Sequence, residues 1–282
     1  MSKNKYLNRA KAAKKDEFYT RYEDIANEIE EYYKYNPNFL KDKTVLLPCD
    51  DHKKSNFVKY FSTNFERFGI KKLMATGVSL DGKGSTYFVR NKLKVIRKSD
   101  DGNAYGDFRN EYVTALRDEA DVIFTNPPFS LFREFFSWCK GKEFSIIGNL
   151  NIVSNKLIIN ELVSGVVKVR KHCGKFEGIA LGCACWFSTF GFSIHKPLRL
   201  SSKASIESLQ KFDNYDALNV DRVANIPAGY MGALGVPITY LLKHNPEQFD
   251  LLGLRYGTDG KYLTINGKET YIRVLIKHRA TS

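Results

Sequence analysis

Short apolar runs alternate with amphipathic stretches through the first half of this chain of 282 residues. From Tyr22 to Tyr33, apolar and aromatic residues recur at helical spacing among glutamates, which predicts an amphipathic helix. Thr44-Val45-Leu46-Leu47 is an apolar run that stops at Pro48-Cys49-Asp50-Asp51, the pattern of a buried strand ending in a polar loop. Ser55 is an N-cap type of residue, and a helix is expected from there to Phe61. Leu73-Met74-Ala75-Thr76 predicts a second strand. Turns at Asp81-Gly82 and Asp101-Gly102 bracket an expected hairpin, with Tyr87 to Val89 pairing Leu93 to Ile96. A helix over Glu111–Ala120, a buried strand over Asp121–Thr125, a helix over Leu131–Cys139 and a strand over Phe144–Ile147 follow.

This alternation over residues 40–150 predicts a doubly wound, largely parallel α/β sheet. In such sheets ligands bind outside the carboxyl ends of the strands. One rim would then carry three polar loops: Pro48 to Asp51, Asp107-Phe108, and Asn126 to Phe129. Beyond residue 150 the pattern turns irregular. Basic residues (Lys168, Arg170, Lys171, Lys175) precede a Gly- and Cys-rich apolar run, Gly178 to Phe192, and a serine-rich segment follows near Leu200 to Ser208. Alternating strands such as Tyr271 to Ile276 close the chain.

Charge narrows the class of partner. With 44 Lys+Arg against 31 Asp+Glu the formal charge is +13, a field that attracts polyanions. Nucleic acid fits better than a membrane, because no run of about 18 apolar residues exists. The first fifteen residues, with Lys3, Lys5, Arg9, Lys11, Lys14 and Lys15, form a basic arm without the apolar core of a secretory signal. Cys49, Cys139, Cys173, Cys183 and Cys185 make an odd set without framework spacing, which suits a reducing cytoplasm.

The candidate chemistry lies in Asn126-Pro127-Pro128-Phe129, directly after the expected strand Asp121–Thr125. This is the Asn-Pro-Pro-aromatic signature of amino-methyltransferases, and its residue types fit the task. An exocyclic amine on a purine is a poor nucleophile, since its lone pair is delocalised into the ring. Two acceptors for its N–H groups localise that pair. The Asn126 side-chain oxygen and the Pro127 carbonyl are the candidates. The proline pair, Pro127 and Pro128, fixes φ and removes competing donors. Phe129 offers a face for a flipped base, a stacking contact worth about 1–3 kcal/mol. The alternative for the tetrapeptide is a plain strand-to-helix turn.

Together with its surroundings the tetrapeptide resembles the EcoRI-like adenine-specific DNA methyltransferases. The resemblance is carried by Asp16-Glu17-Phe18-Tyr19-Thr20, by Pro48-Cys49-Asp50-Asp51 with Ser55-Asn56-Phe57, and by Gly106-Asp107-Phe108-Arg109. Asn126 to Phe136, Gly235 to Thr239 and Asn245 to Phe249 continue it over most of the chain. It implies a Rossmann-like methyltransferase sheet with a smaller DNA-recognition region, S-adenosylmethionine as cofactor and double-stranded DNA as partner. Phe18, Tyr19 and Thr20 would line the methionine end of the cofactor. Pro48, Cys49 and Asp50 would form the loop after the first strand, with Asp50 facing the cofactor's amino-acid moiety. Asp107 would accept from its adenine amine, with Phe108 beside the ring; a helix N-cap before Glu111 is the other reading of Asp107. Pro48 to Lys54 holds no glycine and Ala75 to Leu80 no acid, so the ribose contact has no assigned residue.

The expected layout is a basic arm over 1–15, a cofactor-binding catalytic domain over 16–150, a target-recognition region over 151–235 and completing strands over 236–282. Phosphate contacts are expected from the arm and from Lys168, Arg170, Lys171 and Lys175. His172-Cys173 with Cys183 and Cys185 fits no standard zinc spacing, so no metal is expected. Trp186-Phe187 reads as core. Three readings compete: adenine N6 in DNA; the same chemistry on RNA adenine, cytosine N4 or a protein glutamine; and a non-catalytic nucleic-acid binder. Phe at 129 and the family resemblance favour the first. A partner restriction enzyme leaves no mark in the sequence.

Overall fold

The computed structural model describes residues 20–51, 54–78, 85–91, 94–100, 106–171, 184–191, 196–202, 205–254 and 256–279. The chain divides into two compact units, Met1–Asn149 with Lys171–Phe192, and Leu150–Arg170 with Ser193–Ser282.

The first unit begins with helix α1 (Tyr22–Tyr35), strand β1 (Thr44–Leu47), helix α2 (Asn56–Thr63) and strands β2 (Lys72–Val78), β3 (Ser85–Asn91) and β4 (Lys94–Asp100). Helix α3 (Glu111–Glu119), strand β5 (Val122–Thr125), helix α4 (Phe132–Trp138) and strand β6 (Glu143–Asn149) follow. Helix α5 (Lys156–Val163) belongs to the second unit, and β7 (Lys168–Lys171) spans the boundary between them. Strand β8 (Ala184–Ser188) returns to the first unit. Its strands run in the order β4-β3-β2-β1-β5-β6-β8.

Here the largely parallel sheet expected from the pattern is corrected to a mixed one. The pairs β1–β2, β1–β5 and β5–β6 are parallel, whereas β2–β3, β3–β4 and β6–β8 are antiparallel. Connection length accounts for the pairs β2–β3 and β3–β4: parallel neighbours need a crossover of about a dozen residues or more, and the chain between these strands is far too short for one. The expected hairpin forms, with Val89 opposite Ile96, but its second strand runs on past the expected Leu93–Ile96, so that Phe88 pairs Arg97 and Tyr87 pairs Lys98.

Alternation along the central strands sends Val45, Leu47, Leu73, Ala75, Val122 and Phe124 to one face of the sheet. Ile25, Ile29 and Tyr32 of α1 and Phe57, Tyr60 and Phe61 of α2 pack into the same core. Ser55 starts α2 by accepting from the N–H groups of Phe57 at 3.0 Å and Val58 at 3.4 Å. Phe124 stacks on Phe190 at 5.5 Å, and Trp186 is buried edge-on to Phe57 at 6.0 Å, a core residue as its sequence context predicts. Tyr32 is polar at its tip only, and there its hydroxyl donates to Glu28 at 2.6 Å.

The second unit holds a four-stranded sheet in the order β11-β14-β10-β9, from β9 (Ala217–Asn219), β10 (Ala233–Pro237), β11 (Phe249–Leu254) and β14 (Arg273–His278). A small hairpin of β12 (Thr264–Ile265) and β13 (Lys268–Glu269) adjoins β14 in sequence. Buried Arg273 donates to Asn219 at 2.8 Å and to Asp221 at 3.1 Å, so its charge is held across β9 and β14. Among the described residues no helix is long and apolar enough to cross a membrane.

One close contact places the segment after β5. Gly148 in β6 carries no Cβ because the Phe132 ring lies there; an added Cβ would come within 2.3 Å of that ring. Phe132 is fully buried and touches Phe187 at 5.2 Å, so it has little room to withdraw. Gly148→Ala should therefore lower stability by about 1–3 kcal/mol, the usual cost of overpacking. Urea melts read this directly, and a variant as stable as the parent would mean that Phe132 moves freely.

Candidate active site

The carboxyl ends of β1, β2 and β5 converge through hydrogen bonds and backbone contacts. After Leu47 the chain turns at Cys49, whose φ of 65° is left-handed, a conformation that a non-glycine residue adopts at a cost of about 1–2 kcal/mol. Such strain persists where the surroundings over-determine it. Asp50 supplies that determination. Its N–H donates to the Thr76 carbonyl at 2.7 Å, and its carboxylate accepts from the Ser55 hydroxyl at 2.5 Å and the Thr125 hydroxyl at 2.7 Å. The Thr125 hydroxyl also reaches the Pro48 carbonyl. Asp50 is only 7% exposed.

Glycines let the loops approach. A Cβ on Gly77 would lie 2.7 Å from the Asp51 backbone nitrogen, and one on Gly106 would lie 2.1 Å from the Gly77 carbonyl oxygen. Backbone cannot give way as a side chain can. Gly77 and Gly106 thus bring the Pro48–Asp51 loop, the end of β2 and the Asp107-Phe108 loop into one cluster.

Asp107 does not cap α3. Asn110 is the cap, its side chain accepting from Tyr112 N–H at 2.8 Å. Asp107 instead binds Arg109 through three bonds, from the backbone N–H at 2.9 Å and from guanidinium Nε at 2.9 Å and Nη2 at 2.6 Å. Burial pushes the Asp107 carboxyl up, but the Arg109 hydrogen bonds and charge outweigh it and hold the pKa below the ordinary value. Phe108 is buried edge-on to Phe135 at 5.0 Å and Trp138 at 5.8 Å, anchoring its loop to α4.

Asn126 to Phe129 continue from β5 on this same rim. Pro127 is buried, while Asn126, Pro128 and Phe129 are half-buried. Pro128 is extended, with φ −53° and ψ 125°, and its carbonyl accepts from Leu131 N–H at 2.9 Å. Phe129 packs on the edge of the core built from α1 and α2.

Two buried hydroxyls fit a polar ligand. Thr20 Oγ1 and Thr76 Oγ1 have no hydrogen-bond partner among the described residues, although both residues are almost fully buried. A buried polar group left unmade costs about 1–3 kcal/mol, so such atoms mark places where a ligand completes the set. Thr20 sits beside α2, its carbonyl accepting from Asn56 at 2.8 Å, and Thr76 touches Asp50 through backbone. Each hydroxyl can donate to, or accept from, a polar group of a ligand.

The structure thus brings Pro48, Cys49, Asp50, Asp107, Phe108 and Asn126 to Phe129 to one end of the first unit. Phe18, Tyr19 and Lys175 lie outside the described residues. Lys168 and Arg170 are in the second unit, both half-buried, and burial pushes the Lys168 ammonium down. Sequence reasoning missed Thr125, Thr76, Gly77 and Arg109 as parts of the site. The signal at Thr125 was a hydroxyl closing an otherwise apolar strand.

A mixed α/β sheet with an Asn-Pro-Pro-Phe loop at the carboxyl end of a central strand defines the class of amino-methyltransferases. The family model of the adenine-specific methyltransferase EcoRI matches residues 6–169 and 160–279. The type II methyltransferase M.EcoRI of Escherichia coli is 36% identical, over 98% of this chain and 97% of its own. M.MpnI of Mycoplasma pneumoniae is 32% identical, over 97% of this chain and 98% of its own. No solved structure gives a match. The chain belongs to the EcoRI family of adenine-specific methyltransferases, and it is an adenine-specific DNA methyltransferase.

The Asp107 pair has a pH signature. Its folded pKa lies below the unfolded one, so its stabilisation is complete above the ordinary Asp value, about 3.9, and is lost as pH falls through the folded value. The stability gap between the parent and Asp107→Asn should hold at neutral pH and close below about pH 3.9. Denaturation across that range measures it, and a gap independent of pH would remove Arg109 as the cause.

Proposed function

We propose that this enzyme transfers the methyl group of S-adenosylmethionine to the N6 amine of an adenine flipped out of double-stranded DNA. The observation that carries the reading is the Asn126–Phe129 loop, which follows β5 at the strand end that Thr125 ties to Asp50 of the first loop. The Rossmann-like form of the sheet, cytoplasmic location and a restriction–modification setting belong to the same proposal. The last rests on the naming of its relatives as type II methyltransferases.

Bound at Thr20, Pro48 to Asp50 and Thr76, with Phe18 and Tyr19 beside them, the cofactor supplies an electrophilic methyl group. Asp107, kept ionised by Arg109, offers an acceptor to its adenine amine, with Phe108 fixing the loop that carries it. Asn126 Oδ1 and the Pro127 carbonyl accept the two N–H bonds of the substrate amine. Their dipoles oppose the positive charge that grows on that nitrogen, and fixed dipoles do this without reorganising. Phe129 holds the base by stacking. Pro128 keeps the loop extended. Target reading is assigned to residues 151–235, with 236–282 completing that unit, and phosphate contact to the arm and to Lys168, Arg170, Lys171 and Lys175.

Asn126→Ala tests the chemistry. It should lose most methyl transfer, about 100-fold or more, while S-adenosylhomocysteine binds within several-fold of the parent, since the lost contact strengthens in the transition state. Near-normal kcat on duplex DNA would sink the assignment. Substrates of RNA and of glutamine-bearing peptide, run beside DNA with labelled cofactor, separate the competing acceptors.

Phosphate contact has an independent readout. The logarithm of DNA affinity should fall linearly with the logarithm of salt, at about −0.9 per phosphate neutralised. Replacing Lys168 and Lys171 with alanine should flatten that slope by about one to two units and weaken all sequences alike. Affinity indifferent to salt would make the +13 charge a solvated face only.

A further inference from the structure

We infer that Asp50 and Thr125 are positioning residues: a buried carboxylate–hydroxyl latch that sets the catalytic loop against the cofactor loop. The inference rests on the reading of Asn126 as an acceptor for the substrate amine, and it concerns how that acceptor is placed.

Thr125 is the last residue of β5, and Asn126 is the next residue in the chain. Its hydroxyl is the polar group in a strand otherwise built from Val122, Ile123 and Phe124, and it is fully buried. A buried hydroxyl in that position needs an acceptor, and its single proton is shared between two in the first loop: Asp50 at 2.7 Å and the Pro48 carbonyl. The other Asp50 oxygen takes the Ser55 hydroxyl at 2.5 Å, and Ser55 in turn caps α2. One carboxylate therefore joins the loop after β1, the start of α2 and the end of β5. Water has almost no access to any of these atoms, so no solvent bond replaces a broken one. The methyl donor is held by the first loop and the amine by the loop after Thr125. The latch fixes the distance between them, and an error of about 1 Å in such a distance costs about 100-fold in rate. Asp50, which the family resemblance points at the cofactor's amino-acid moiety, acts in this scheme through Thr125.

The test is a mutant cycle on the full chain with Thr125→Val, Thr125→Ser, Asp50→Asn and the Thr125→Val/Asp50→Asn double variant. Single-turnover methylation of duplex DNA gives the rate, calorimetry with S-adenosylhomocysteine gives cofactor affinity, and near-UV dichroism reports the fold. Thr125→Val should slow methyl transfer by about 10- to 100-fold, with cofactor affinity changed by less than about threefold. Thr125→Ser, which keeps the hydroxyl, should restore the rate. The double variant should be no slower than the slower single variant, because both remove one interaction. A Thr125→Val rate within threefold of the parent, a loss confined to cofactor affinity, or effects that multiply in the double variant would each overturn the latch. If Thr125→Val does not fold, Thr125→Ala decides: slow transfer at parental cofactor affinity supports the latch, and a parental rate, or a loss confined to affinity, overturns it. Asn126→Ala runs alongside. A parental rate in that variant would overturn the acceptor reading itself, whatever the latch variants do.

Discussion

Burying a carboxylate removes hydration worth several kcal/mol, and the molecule recovers it only by surrounding the group with donors. Asp50 meets that requirement with hydroxyls from two different elements, Ser55 at the start of α2 and Thr125 at the end of β5. Its own N–H reaches β2 at the Thr76 carbonyl. Three strand ends are therefore indexed to one residue. The left-handed turn at Cys49 follows from the same demand, because the loop must fold back sharply for the next side chain to point inward. Local strain at Cys49 is accepted because the turn brings Asp50 to the Ser55 and Thr125 hydroxyls.

Close approach in this cluster is supplied from outside the first loop. Pro48 to Lys54 lacks the glycines common in cofactor loops, a departure visible in the sequence. What the sequence concealed is where the space went. Gly77 at the end of β2 and Gly106 before Asp107 are far apart along the chain, and only the folded contacts show that Gly77 is small for the Asp50-Asp51 backbone and Gly106 for the backbone of Gly77. Local periodicity gave the elements nearly to the residue, as at Thr44–Leu47 and Glu111–Glu119, because burial imposes a repeat on nearby residues. The tetrapeptide after β5 was legible because its four residues carry their chemistry together. The Asp50–Thr125 bond spans 75 positions and leaves no repeat behind it. Sheet direction was missed for a related reason: a strand's pattern reports its burial and is silent on which way its neighbour runs.

Net charge is a coarser guide than the placement of individual cations. Lys168 contributes to the +13, yet burial already pushes its ammonium down before any phosphate arrives. A lysine partly withdrawn from water lays its stem on the protein and keeps only its head for a partner. Arg273 counts equally in the sum, but its guanidinium is committed to Asn219 and Asp221. In the proposed DNA complex the cations that meet phosphate are thus fewer than the 44 Lys+Arg of the chain, and phosphate contacts hold a duplex without choosing its sequence.

Accuracy in the proposed catalytic loop comes from its flanks. In the proposed mechanism Asn126 and the Pro127 carbonyl present acceptors at fixed positions, since dipoles that reorient during the reaction give back what they stabilise. Three residues of coil leading into a single 3-10 turn cannot hold such positions alone, even with two prolines restricting φ. On one side Thr125 is tied to Asp50; on the other the Phe132 ring lies against the bare Cα of Gly148. Phe129, between them, rests its ring on the core beneath α1 and α2. A change at Thr125 or Gly148 would leave every acceptor atom in the protein and still misplace the pair. Loss of rate without loss of any catalytic group is the behaviour expected of a site whose precision is stored in the packing around it.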